Sequence, residues 1–272
     1  MQTIVVLLKQ TFDTEEKITV TPQGIEERDA KLVINPYDEY ALEEALRIKE
    51  RSGGGNVVIV TCGPERAQEA IRTALAVGAD EAVRIDSAGL GSDSHALSAA
   101  LAAVIEPLSP DLLLAGLFAV DSGSGSVALQ VAERLGLPHA SAAVKLSIGS
   151  AAELGVDPVG SAALYALVER DVEGDTETVA IPLPALVTAQ QGLNEPRYPS
   201  LPGIMKAKRK PLKVVEPDEI GLGGGKAGEA VRTRQISLSP PPPRAAGKRI
   251  GGAAAQQASE LLKLLQDEAK VL

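Results

Sequence analysis

Few residues in this 272-residue sequence are of a type and spacing that could do covalent chemistry. The single cysteine, Cys62, has neither of the two histidines, His95 and His139, near it in the sequence. A thiolate nucleophile needs a base or a cation beside it, so Cys62 is interpreted as a small residue that lines a pocket. The histidines lie far apart, with no zinc-ligand spacing around either. The sequence therefore predicts no catalytic constellation and no metal site.

One loop has the composition of an anion site. Residues 116–127 read GLFAVDSGSGSV and follow a buried apolar run. Small residues let backbone N–H groups approach a phosphate, serine hydroxyls add donors, and a following helix presents its positive end. The pattern is typical of a phosphate cradle, in which Asp121 would suit a ribose hydroxyl, but also of a plain turn. The loop composition alone leaves both open.

The elements that must position this loop alternate between strand and helix. Strands are predicted over 3–8, 56–61, 81–85 and 111–116, and helices from Asn35-Pro36, Gly63-Pro64-Glu65, Ser92-Asp93 and Ser126. This alternation predicts an α/β fold with a doubly wound, mostly parallel, Rossmann-like sheet. Ligands of such sheets lie outside the carboxyl ends of the strands, where the predicted strand ends and the 116–127 loop would meet. Three helical acids, Glu43, Glu44 and Glu69, are expected on solvated faces.

The pattern changes after Pro138. Runs at 144–148, 161–170 and 179–188 are predicted to be strands that extend the sheet in antiparallel fashion. Earlier in the chain, Pro22-Gln23-Gly24 is predicted to be a surface turn. Beyond residue 210 come Gly221 to Gly225, the tract Pro240 to Pro243 and a leucine-bearing terminal helix. We expect an α/β domain over 1–192, a recognition loop and helix start over 193–210, and a C-terminal arm over 211–272.

The segment from Leu193 to Lys208 combines rigidity with apolar side chains. It reads LNEPRYPSLPGIMKAK, and its three prolines and one glycine forbid a central strand. Such a segment either presents a surface that another protein binds, or connects two elements while Leu201, Ile204 and Met205 pack back on the core. Composition alone leaves the two interpretations about equal.

Bulk properties limit the classes of partner. The net charge of −9 argues against a nucleic-acid or anionic-membrane surface as the main partner. The N-terminus is interpreted as a first strand and not a signal peptide, and no apolar run is long enough for a transmembrane helix. One cysteine excludes a disulfide framework. A cytoplasmic location is therefore expected.

Long stretches of the chain resemble one known family. These are LNEPRYPSLPGIMKAK from Leu193, NPYDEYALEEALRIKE from Asn35, CGP at Cys62, IRTALAVGADEAVRI from Ile71 and LPALVTA from Leu183. They resemble the small (β) subunit of electron transfer flavoproteins. The resemblance implies a heterodimer with a larger α subunit that holds most of the redox FAD, and a C-terminal arm that wraps that subunit. It also implies that electrons come from acyl-CoA-type dehydrogenases, as in fatty acid oxidation, and pass to a membrane quinone oxidoreductase.

Site residues follow from the resemblance by position. The nucleotide, AMP in conventional members or a second FAD in electron-bifurcating ones, would contact Leu7, Asn35, Pro36, Tyr37, Asp38, Cys62, Gly116, Asp121, Ser122, Gly123, Ser124, Gly125, Ser126 and Val127. Partner docking would use Glu195, Arg197, Tyr198, Leu201, Pro202, Ile204 and Met205, with Leu201 as the anchor. Departures from the family pattern at Leu7 and over Ser122 to Ala128 leave open which nucleotide binds.

Two other classes compete with the carrier subunit. A stand-alone nucleotide-sensing module of the universal-stress-protein kind shares the α/β core, but it needs neither the recognition loop nor an arm. The roughly 80 residues after Leu193 therefore favour the carrier. An ATP-using ligase would need a catalytic phosphate loop after the first strand, and the sequence has none there. The basic run from Lys206 to Lys213 would either steer an acidic partner or be a solvated helix start.

Overall fold

The computed structural model describes residues 1–21, 24–26, 30–222, 231–244 and 246–272. The predicted turn at Pro22-Gln23 and the glycines at 223–225 lie outside these ranges. The strands are β1 (Thr3–Leu7), β2 (Gln10–Phe12), β3 (Val20–Thr21), β4 (Gly24–Ile25), β5 (Leu32–Ile34), β6 (Asn56–Gly63), β7 (Glu81–Asp86), β8 (Leu112–Gly116), β9 (His139–Gly149), β10 (Tyr165–Val172), β11 (Asp175–Pro182), β12 (Ala185–Ala189) and β13 (Leu212–Val215). The α-helices are α1 (Pro36–Arg51), α2 (Gln68–Val77), α3 (Ser94–Ile105), α4 (Ser126–Arg134), α5 (Ala151–Leu154), α6 (Leu201–Ala207) and α7 (Ala254–Asp267).

A nine-stranded sheet forms the centre of the fold, in the order β11-β10-β9-β12-β8-β1-β6-β7-β13. Seven neighbouring strands run parallel to one another: β9, β12, β8, β1, β6, β7 and β13. At one end of the sheet, β10 pairs antiparallel with both β9 and β11. The central strands are continuous apolar runs, as strands covered on both faces require. The predicted mostly parallel α/β sheet with antiparallel additions is confirmed.

Two apolar cores cover the two faces of this sheet. On one face, α1 and α2 pack on residues that include Ile4, Val6 and Ile59. On the other face, α3 and α4 pack on Val5, Val58 and neighbouring strand residues. Successive residues of β1 and β6 thus point to opposite cores, as strand geometry dictates. Both layers are built mainly from Val, Leu, Ile and Ala.

The prediction for residues 179–188 is wrong in two respects. These residues do not form one strand, because the chain turns at Pro182-Leu183-Pro184, where proline cannot continue a ladder. The first part belongs to the antiparallel edge strand β11. The second part, β12, inserts between β8 and β9 and runs parallel to both.

The expectation that Glu43 and Glu44 are solvated is also wrong. Their exposed fractions are only 3% and 4%, whereas Glu69 is exposed as expected. The helical pattern places both acids opposite the apolar stripe of α1, but residues 194–197 lie across that face. The residues that bury Glu43 and Glu44 are about 150 positions away in the chain, so the periodicity of the helix cannot predict their burial.

The C-terminal region divides into a docked part and an exposed part. Strand β13 joins the main sheet beside β7. Further on, Thr233 donates hydrogen bonds from its backbone N and its Oγ1 to Asp93, the residue that caps α3. The terminal helix α7 has no buried residue. Within the ranges given above, no helix is both long and apolar enough to cross a bilayer.

Candidate functional site

A cleft of about 400 Å³ lies at the carboxyl ends of β1, β6 and β8. Its floor is apolar, with Leu7, Val60 and Ala115 at the strand ends, and α3 contributes Leu97 and Leu101. Its rim is polar, with Ser122, Ser124 and Gly125 from the loop before α4 and Ser87, Gly91 and Ser92 from the loop after β7. An apolar floor with a few polar groups converging at one side is typical of a small-molecule site.

Asp38 ties three of the elements around the cleft together. Its Oδ2 accepts a hydrogen bond from the backbone N of Lys9 at 2.7 Å, and its Oδ1 accepts from Asn35 Nδ2 and from the backbone N of Gly116, both at 3.0 Å. Burial raises the pKa of Asp38 to about 7, although these donors oppose the shift. One buried carboxyl group thus fixes the ends of β1 and β8 against the start of α1.

The close fit around Asp38 requires glycine at position 116. A Cβ atom at this position would lie 2.6 Å from Tyr37 Cβ and 2.7 Å from the Tyr37 carbonyl carbon, and it would also overlap Asp38 Oδ1. Atoms of α1 therefore sit directly against the backbone at the end of β8. The floor of the cleft depends on this contact.

Asn35 occupies the predicted N-cap position of α1, but its side chain does not cap the helix. Its Nδ2 donates to Asp38 Oδ1 and to the Phe118 carbonyl oxygen at 2.9 Å, and its Oδ1 accepts from the backbone N of Val120 at 3.1 Å. The amide group therefore holds the loop after β8 against α1. The Tyr37 ring packs on the Phe118 ring beside it, with centroids 4.4 Å apart.

The loop before α4 leaves the start of that helix open. Gly125 is the N-cap residue and supplies no side-chain acceptor. The loop is closed internally, since the backbone N of Ala119 donates to the Ser124 carbonyl oxygen, and that of Gly123 donates to Ala119. The first N–H groups of α4 and the adjacent serine hydroxyls thus form a donor set next to the cleft.

Asp121 and Lys9 form an ion pair at the edge of the cleft. Lys9 Nζ lies 2.6 Å from Asp121 Oδ1, which also accepts from Ser122 Oγ. Asp121 does not line the cleft. Its carboxylate is therefore held by a neighbouring cation, and its predicted role toward a ribose hydroxyl stays a prediction.

The Cys62 thiol lines the cleft but is not activated. Burial raises its pKa to about 12, and the nearby Asp86 carboxylate adds to the shift, against a smaller opposing effect of Arg84. The thiol is therefore protonated at neutral pH. This agrees with the interpretation of Cys62 as a small lining residue.

A second candidate surface is the segment from Leu193 to Lys208, whose first half is clamped to α1. Arg197 Nε donates to Glu43 Oε2 at 2.8 Å and its Nη2 donates to Glu50 Oε2 at 3.0 Å. Asn194 Nδ2 donates to the Tyr40 carbonyl oxygen and to Glu44 Oε2. The two buried acids thus serve to fix this segment.

The second half of the segment presents apolar side chains to solvent. The exposed fractions are 93% for Tyr198, 80% for Leu201, 43% for Ile204 and 74% for Met205. These exposures exclude the interpretation in which the segment merely packs back on the core. The backbone of helix α6 nevertheless lies close against α2, because a Cβ at Gly203 would overlap the Ala76 carbonyl oxygen. A rigid backbone thus carries outward-facing apolar groups.

Comparison with known proteins assigns the family. A sequence model described as "Electron transfer flavoprotein domain" matches residues 24–220. The electron transfer flavoprotein subunit beta of Bacillus subtilis is 46% identical over 269 residues, which cover 98% of both chains. The subunits beta of Syntrophomonas wolfei and mouse are 37% and 36% identical, over 87% and 80% of this chain and 86% and 82% of their own. The chain belongs to the electron transfer flavoprotein family, as a beta subunit. The resemblance noted in the sequence is thereby confirmed.

Nine of the nucleotide-site residues inferred from the beta-subunit resemblance line the cleft: Leu7, Asn35, Asp38, Cys62, Gly116, Ser122, Ser124, Gly125 and Val127. Five lie beside it without lining it: Pro36, Tyr37, Asp121, Gly123 and Ser126. A further wall of the cleft, which was not predicted from the sequence, is formed by Ser87, Gly91, Ser92, Leu97 and Leu101. That wall follows β7, so the rule that ligands lie at strand ends could have found it.

Proposed function

We propose that this chain is the beta subunit of a heterodimeric electron transfer flavoprotein that carries electrons from acyl-CoA-type dehydrogenases to a membrane quinone oxidoreductase. The observation that carries the proposal is the separation of two surfaces: a nucleotide-sized cleft without an activated catalytic group, and a clamped segment that presents Leu201 to solvent. A carrier subunit needs both, and it needs no chemistry of its own. The location that fits this role is the cytoplasm.

The cleft fits AMP as a structural ligand. Its volume of about 400 Å³ is near the lower end of the range typical for small-molecule sites. The phosphate would bind the N–H groups at the start of α4 and the hydroxyl of Ser124, while the Ser122 hydroxyl donates its hydrogen bond to Asp121. The adenine would lie against the apolar side chains that line the floor, such as Leu101. A second FAD would need additional space for a flavin.

The redox FAD would be shared with the alpha subunit, and it supplies the electron-transfer chemistry when bound. The role of this chain is then to shape one side of the flavin site, which Tyr37, packed on the Phe118 ring, would face. Of the predicted C-terminal arm, residues 211–272, the part beyond β13 and Thr233 would wrap the alpha subunit, since β13 and Thr233 are bound to the α/β domain itself. The exposed leucines of α7, Leu261 and Leu262, support this because an amphipathic helix without a buried face needs a partner.

Leu201→Ala tests the docking role. A leucine that becomes buried against a dehydrogenase contributes about 1.5 kcal/mol or more, so we expect electron transfer at limiting carrier concentration to slow about tenfold. The flavin content of the heterodimer is expected to stay normal, since Leu201 lies outside the cleft. The measurement is the rate of flavin reduction by an acyl-CoA dehydrogenase with its acyl-CoA substrate.

Val159→Ala is the matched control, because it shortens an exposed apolar side chain elsewhere on the surface. It is expected to transfer electrons at the wild-type rate. If Leu201→Ala and Val159→Ala behave alike, the anchor assignment is wrong.

A further inference from the structure

A groove of about 320 Å³ lies beside the docking segment and is distinct from the nucleotide cleft. Helices α1 and α2 and residues 196–199 form its walls. Its lining is largely apolar, with Ile34, Leu42, Val77 and Pro199 among the contributors. Tyr198, which is almost fully exposed, stands at its rim. Pro199, which lines the groove, lies two residues before Leu201 in the docking segment.

One carboxylate in this groove has no partner within the described part of the chain. Glu39 lines the groove from the first turn of α1. Among the residues that the structure describes, no cation or hydrogen-bond donor contacts its side chain. Burial alone raises the pKa of Glu39, which indicates that the charge is partly desolvated without compensation.

The other charged groups that line the groove are already paired. Glu43 accepts hydrogen bonds from Arg47 and Arg197. Arg197 itself is bound to both Glu43 and Glu50. Neither of these groups is free to compensate Glu39. A positively charged group or a strong hydrogen-bond donor that enters the groove would therefore compensate the Glu39 carboxylate.

We propose that this groove receives an arginine or lysine side chain of the dehydrogenase that docks on the segment from Leu193 to Lys208, and that Glu39 is its acceptor. The proposal rests on the proposed function. The shape supports it, because a long basic side chain would lay its aliphatic stem against Val77 and Pro199 while its charged head reaches Glu39. Proximity in the chain supports it too, since Tyr198 and Pro199 line the groove and the exposed Leu201 follows them in the docking segment.

The test uses the full heterodimer as the varied substrate of an acyl-CoA dehydrogenase. Glu39→Gln keeps the shape of the side chain but removes its charge. We expect KM for the heterodimer to rise about fivefold, the upper range for a partly exposed ion pair, with kcat unchanged. The rise of KM with ionic strength is expected to become weaker, because one charge pair across the interface is lost.

Two further variants make the result specific. Glu39→Asp retains the charge on a shorter stem and is expected to recover part of the affinity and of the salt dependence. Glu69→Gln removes an exposed charge of α2 that lies outside the groove, and it is expected to match the wild type. Flavin content must stay at the wild-type value for all three, as Glu39 does not line the nucleotide cleft. The Tm must not fall in any of them, and Glu39→Gln is expected to raise it slightly because it removes a partly desolvated charge.

The outcomes separate this inference from the proposed function. If Leu201→Ala slows transfer while Glu39→Gln has the KM and salt dependence of Glu69→Gln, the groove assignment is overturned and the carrier function stands. If the dehydrogenase does not reduce even the wild-type heterodimer, the proposed function fails, and the groove assignment fails with it.

Discussion

Replacing Gly116 by alanine is expected to abolish nucleotide retention and to lower the free energy of unfolding by about 2–3 kcal/mol. The added methyl group would overlap Asp38 and Tyr37, so α1 must move away from the end of β8. Overpacking of a dense interior typically costs this much. Because Asp38 also binds the backbone of Lys9, the shift would spread to the end of β1 and reshape the floor of the cleft.

Gly54→Ala is the control for this prediction. A Cβ at Gly54 would have no atom within 4 Å, and the residue lies in the turn after α1, away from the cleft. The measurements are chemical denaturation of the heterodimer and the nucleotide released on denaturation. A Gly116→Ala heterodimer with wild-type stability and a full nucleotide complement would contradict the close-contact account of the cleft floor.

Arg197→Ala is expected to lower the free energy of unfolding by about 2 kcal/mol and to slow electron transfer. Removing one partner of a fully buried ion pair costs about 3–5 kcal/mol. Solvent reduces this here, since the Arg197 side chain is 36% exposed, and Arg47 still donates to the buried Glu43. The segment before Tyr198 would lose its clamp, so the preorganisation of the docking residues would be lost as well.

The pH dependence of the free energy of unfolding under acidic conditions provides a second measure of the contacts between Arg197 and the two acids, Glu43 and Glu50. Burial raises the pKa of Glu43, but hydrogen bonds from Arg197 and Arg47 outweigh burial and bring it below the ordinary value of 4.5. The Arg197 hydrogen bonds also lower the pKa of Glu50. Both groups bind protons less readily when folded, so their contribution is complete above pH 4.5 and is lost as pH falls below it. In the Arg197→Ala variant, the free energy of unfolding is therefore expected to decrease less steeply as the pH falls.

Lys145→Ala provides the comparison for the clamp. Its ion pair with Glu169 is exposed on both sides and is expected to be worth less than about 1 kcal/mol. Equal destabilisation by Lys145→Ala and Arg197→Ala would show that the clamp is an ordinary surface pair. Chemical denaturation of the heterodimer at pH 7 and pH 4 measures both variants.

The layered fold could be predicted because each of its signals is local. Apolar runs mark the buried strands, and Asp93 does cap α3 as predicted, accepting from the backbone N of Ala96. The insertion of β12 between β8 and β9 could not be predicted in the same way. It depends on which distant strand β12 pairs with, and strand composition does not encode that choice.

The candidate site shows the same limit at the level of single side chains. Asn35 has the sequence of an N-cap, but its amide binds a loop that is 83 residues away in the chain. Glu43 and Glu44 have the spacing of a solvated helix face, but residues 194–197 cover them. The local sequence pattern correctly placed Asn35 at the start of α1 and Glu43 and Glu44 within it. Only tertiary contacts reveal that they shape the cleft and hold the docking segment.

The nucleotide content of the purified heterodimer tests the central claim most directly. The chain is copurified with its alpha subunit, the complex is denatured, and FAD and AMP are quantified by chromatography. One FAD and one AMP per heterodimer is the predicted result, with AMP lost from the Gly116→Ala variant. Two FAD and no AMP would contradict AMP as the ligand of the cleft and would indicate an electron-bifurcating protein. One FAD without any second nucleotide would contradict the assignment of the cleft as a nucleotide site.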